Sequence, residues 1–153
     1  MFYFLDIIIP KREINKTSLR EQFASWGNEY YSYTPQRYYS SSNLFFEKVN
    51  DLRYFSRLLK KDLDSDQYIA LCLKNNAVSE LDYIINNSPT ELKHNDLVCF
   101  ITELITLSEF YVFLLRDDEG IKRRYTVKNK TEIITSLYNS LQWTNPLDIL
   151  ITK

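Results

Sequence analysis

Glycine is almost missing from this chain: of 153 residues, only Gly27 and Gly120 are glycine. Loops that cradle a phosphate need several glycines, because the backbone itself must approach the ligand. The Rossmann fingerprint and the P-loop are therefore excluded, and so is a nucleophile elbow of the G-x-S-x-G kind. With only four prolines as well, all-β architectures built on many tight turns are disfavoured.

The length suits one domain spanning residues 1–153. Twelve Tyr, nine Phe and two Trp in a chain that is 44% hydrophobic argue against disorder. Nineteen basic residues against twenty acidic ones leave a net charge of −1, too little to hold a polyanion by bulk charge, so no direct nucleic-acid partner is expected. Cys72 and Cys99 sit inside the apolar runs IALCL and LVCFI. They read as buried reduced thiols, which suits a cytoplasmic location. The start, MFYFLDIIIPK, is apolar but carries Asp6 in its middle, with no basic leader and no cleavage site, so a signal peptide is not expected. No run reaches the 18 apolar residues of a membrane helix, and no membrane partner is expected.

The pattern along the chain predicts an α+β domain. Residues 2–9 read as a strand stopped by Pro10. Ser18 and Glu21 form a capping-box pattern that opens a helix to about Trp26, with Gly27 as its C-terminal cap. Residues 28–42, NEYYSYTPQRYYSSS, read as an ordered aromatic loop. Phe45, Val49, Leu52, Phe55 and Leu59 fall on one stripe and predict a helix over 43–61. Asp64 and Gln67 look like a capping pair leading into QYIALCLK. A short helix is expected over 77–86, and Ser88-Pro89-Thr90-Glu91 starts a helix or helix pair that runs to about Ser108. FYVFLL (110–115), the turn at Asp117–Gly120 and the alternating residues Ile121, Arg123, Tyr125 and Val127 predict a β-hairpin. Asn129 with Glu132 caps a helix, and LDILIT (147–152) is a last strand. The expected whole is an N-terminal strand, a helical middle, then hairpin, helix and C-terminal strand forming a small, mostly antiparallel sheet.

Catalytic groups are scarce. Histidine occurs once, at His94, in the polar run LKHND, where it reads as a solvated surface residue. Asp62-x-Asp64-x-Asp66 resembles the start of a calcium loop, but Gln67 and Leu73 stand where the loop needs Gly and Glu, so it reads as a solvated connection. No cofactor, metal or catalytic residue is assigned. Lys122, Arg123 and Arg124 read as protection of an edge strand. The remaining candidates are surface groups: Tyr30, Tyr31 and Tyr33 with Glu29, and the acidic tip Asp117, Asp118 and Glu119. Tyrosines give large contact area at low entropic cost.

The NEYYSY segment, the FYVFLLRDDEG hairpin and the SPTELKHNDLVCFITEL helix give the chain a general resemblance to bacterial immunity proteins of polymorphic toxin and contact-dependent growth inhibition systems. That resemblance implies a non-enzymatic inhibitor that binds a cognate toxin, of nuclease type, and occludes its active site. Acidic side chains would steer a basic toxin and aromatic anchors would hold it. Glu29, Tyr30, Tyr31, Tyr33, Asp117, Asp118 and Glu119 would be the contacts. Two other readings stay open: an adaptor or self-assembling subunit, and a metal-dependent enzyme built on scattered carboxylates.

Overall fold

The computed structural model describes residues 3–23, 29–33, 44–74, 96–116, 120–141 and 148–153. Its centre is one sheet of eight strands, most of them antiparallel, which confirms the α+β class. In chain order these are β1 (Tyr3–Pro10), β2 (Leu19–Phe23), β3 (Glu29–Tyr33), β4 (Leu44–Val49), β5 (Tyr68–Leu73), β6 (Tyr111–Arg116), β7 (Arg123–Thr126) and β8 (Ile149–Thr152). Across the sheet the order is β2-β3-β4-β5-β1-β6-β8-β7. Three α-helices are described: α1 (Arg53–Leu59), α2 (Asp96–Glu103) and α3 (Lys130–Leu141).

β1 is central because it can be buried on both faces. Leu5, Ile7 and Ile9 point to one face and Ile8 to the other, all four at 0% exposure. On the first face, Leu5, Ile7, Leu71 and Val112 pack under α2 and α3 through Phe100, Ile101, Ile133 and Leu137. The Phe100 ring lies 5.1 Å from Tyr33 and 5.0 Å from Phe46, centroid to centroid. On the second face a smaller core forms under α1, where Phe55 stacks 5.2 Å from Phe113 beside Ile8, Leu115 and Leu150. Helix α1 ends where Lys60 turns left-handed at φ 53°, and the Lys61 N–H then donates back to the Ser56 carbonyl at 3.2 Å.

The sheet is larger than expected and the middle of the chain is less helical. Ser18 and Glu21 cap no helix: Leu19–Phe23 is β2, and the Ser18 N–H donates to the Glu103 carboxylate of α2. Glu29–Tyr33, expected as loop, is β3. The stripe over 43–61 is split between β4 and α1. A spacing of four keeps residues on one side in a strand as well as in a helix, so Phe45 and Val49 mimic helical neighbours. Residues 68–73 form β5, and Asp64 closes the turn before it by accepting the Asp66 N–H at 2.9 Å.

The expected hairpin is also corrected. β6 and β7 are both strands, but β8 lies between them, antiparallel to β6 and parallel to β7. Helix α3 makes the crossover that a parallel pair needs. The Asn129–Glu132 cap forms as read: Asn129 Oδ1 accepts the Glu132 N–H at 2.9 Å. Gly120 takes φ +77°, the left-handed conformation assigned to it. The helix expected over 77–86 and the start signal at 88–91 lie outside the described residues.

Candidate functional site

Strand register builds the site. On the second face, Gln22, Tyr30, Glu47, Cys72 and Asp6 pair in sequence across β2, β3, β4, β5 and β1. The same row continues through Phe113 and Leu150 to Arg124 on β7. It therefore changes character at β1. Phe113 and Leu150 are buried under α1, and Arg124 reaches the Leu58 carbonyl near the end of that helix at 3.2 Å. The β2–β1 stretch carries polar groups instead.

Asp6 is 8% exposed, and burial pushes its carboxyl up to about 6, against the pull of a hydrogen bond from the Cys72 thiol and the Lys74 charge. Burial also pushes the Cys72 thiol up to about 12, and the Asp6 carboxylate adds to this. A thiol held protonated is a donor, not a nucleophile. Lys74 pairs with Glu47 at 2.6 Å, and that contact raises the lysine pKa. Two residues from Asp6 on the same face stands Phe4, 46% exposed. The cluster can bind a charged or hydrogen-bonding group, and its sulfur is poorly suited to covalent chemistry.

Two further acids belong to the scaffold. Burial alone would raise the Glu13 carboxyl. Instead the Ser108 hydroxyl (2.6 Å) and N–H (2.8 Å), with the Lys16 ammonium (3.2 Å), bring it down to about 2. Burial works against Glu109 as well. Lys61 at 2.5 Å, with the Tyr111 and Tyr68 hydroxyls, outweighs it and holds the carboxyl below its usual range. Beside α1 an open trough of about 1000 Å³ is lined by Asp51, Arg53, Arg57, Asp62 and Ser65. Arg53 forks onto Asp51 there, at 3.0 and 2.8 Å.

The residues singled out by sequence divide by strand parity. Tyr30 is half-buried on the second face. Tyr31 and Tyr33 turn inward and are 9% and 5% exposed in the first core. Burial, followed by the nearby Glu103, raises the Tyr33 pKa. Glu29 lies on β3 opposite Phe23. Asp117, Asp118, Glu119 and His94 lie outside the described residues. Lys122 and Arg124 are exposed at the β7 edge of the sheet, the position assigned to them. Neither cysteine is in a disulfide, and both are half-buried rather than buried. The sequence alone does not mark Asp6, Cys72, Glu47, Lys74 and Phe4 as a site. The one available signal was a lone charge inside the apolar run YFLDIII.

Among the described residues, no three His, Cys, Asp or Glu stand together as a metal site, and no helix is long and apolar enough to cross a membrane. Comparison with protein-family models, curated proteins and solved structures yields no match.

Proposed function

We propose that this protein is an immunity protein that binds a cognate bacterial toxin, of nuclease type, and blocks its active site without turnover. The observation that carries this reading is the polar half of the second face. An exposed aromatic ring, Phe4, stands beside the buried acid Asp6 on β1, with Glu47 two strands away on β4 and Tyr30 three strands away on β3. Aromatic anchors around a few charged groups make a protein-binding surface. The protonated Cys72 thiol fits a binding role better than a catalytic one.

The test is protection. Cells expressing the catalytic domain of the toxin encoded beside this chain should survive when the chain is co-expressed. Survival should fall when Phe4 and Tyr30 are both changed to Ala. Death despite co-expression would refute the inhibitor reading. A self-associating chain with no effect on the toxin would instead favour the adaptor or subunit reading.

A further inference from the structure

Asp6 is a buried acid short of donors. A carboxylate offers about four acceptor positions, and among the described residues Asp6 has one hydrogen-bonding neighbour, the Cys72 thiol, a weak donor that also lies 3.8 Å from the Leu73 carbonyl. The Lys74 ammonium acts on it only through space, because it is held at 2.6 Å by Glu47. Buried polar groups are normally paired, and one left short is costly. The shortfall therefore points to a donor that comes from outside the chain.

Phe4 narrows the chemistry of that donor. It lies two residues along the strand on the same face, about 7 Å away, and is the large hydrophobic side chain described as exposed. A guanidinium can fork onto a carboxylate and lie flat on an aromatic ring, whereas an ammonium is a compact point charge. The local charge agrees, since Asp6 and Glu47 outnumber Lys74. We propose that Phe4 and Asp6 together form the receptor for an arginine side chain of the partner protein. This rests on the inhibitor reading and names the partner chemistry that reading leaves open. A toxin that grips nucleic-acid phosphates with arginines has such a side chain to offer.

The experiment uses the isolated protein and free arginine amide, followed by NMR at the Asp6 carboxyl and the Phe4 ring. Citrulline amide, whose side chain is uncharged and of the same shape, is the control. Saturable shifts at both residues with arginine amide, and none with citrulline amide, are expected. Phe4→Ala removes an exposed ring and leaves the core intact, and it should weaken binding about threefold. Asp6→Asn should abolish it. If Asp6→Asn does not fold, the Phe4→Ala titration alone decides. No shift at Asp6 and Phe4, or an equal response to citrulline amide, overturns the proposal and leaves the inhibitor reading standing. An arginine response in a protein that fails to protect cells overturns the inhibitor reading and retains the receptor.

Discussion

Cys72 stands directly opposite Asp6 across the β1–β5 pair, and the two groups shift each other in opposite senses. Burial raises both. Beyond that, the acid pushes the thiol further up, while the thiol draws the acid down. The result is a protonated sulfur beside a carboxyl that ionises within reach of neutral pH.

Asp6 therefore makes stability depend on pH. The folded pKa of about 6 lies above the ordinary 3.8, so the neutral acid favours the fold. That contribution is complete below pH 4 and is lost as pH rises through 6. Between pH 4.5 and 7.5 the wild type should lose about 1–2 kcal/mol relative to Asp6→Asn. Urea denaturation of the two proteins across this range checks the difference. Parallel profiles would mean that Asp6 is not desolvated.

Glu13 has the opposite sign. Its pKa falls from 4.5 to about 2, so its contribution is present above pH 4.5 and lost as pH drops through 2. Glu13→Gln should cost about 1–3 kcal/mol at pH 7, because the Ser108 N–H and hydroxyl lose a charged acceptor. A double-mutant cycle with Ser108→Ala should show coupling between the two.

Strand parity separates the tyrosines and their neighbours. Phe100→Ala removes the ring between Tyr33 and Phe46 and should cost about 3–5 kcal/mol. Tyr30→Ala, on the second face, should stay within about 1 kcal/mol in the free protein. Thermal melts of both variants check this. A severe loss at Tyr30 would place that residue in the core.

Gly120 offers a test of backbone alone. An added Cβ would meet nothing within 4 Å, yet φ is +77°. Gly120→Ala should cost about 1 kcal/mol through conformation only. No loss in chemical denaturation would show that the chain does not need the left-handed turn.

The ends of this fold were easier to read than its middle. β1, β6 and β8 are short apolar runs whose length and β-branching mark them as strands, and α3 announces itself through the Asn129–Glu132 cap. β2 and β4 were hidden by coincidences of spacing. Ser18 and Glu21 mimic a capping box, and residues four apart share a face in either structure. The insertion of β8 between β6 and β7 is a long-range choice that no local pattern records. The same is true of the site. Asp6, Cys72 and Glu47 are far apart in sequence and are joined only by register. Within the aromatic segment, only strand parity decides that Tyr30 lies on the second face and Tyr31 in the first core.

The proposed inhibitor acts by stoichiometric binding alone. Titration against the purified catalytic domain of a candidate nuclease-type toxin, with nuclease activity followed, tests this. A linear loss of activity that ends at one equivalent, weakened in the Phe4→Ala and Tyr30→Ala double variant, is the predicted result. Full toxin activity at a tenfold excess of the chain would contradict the account.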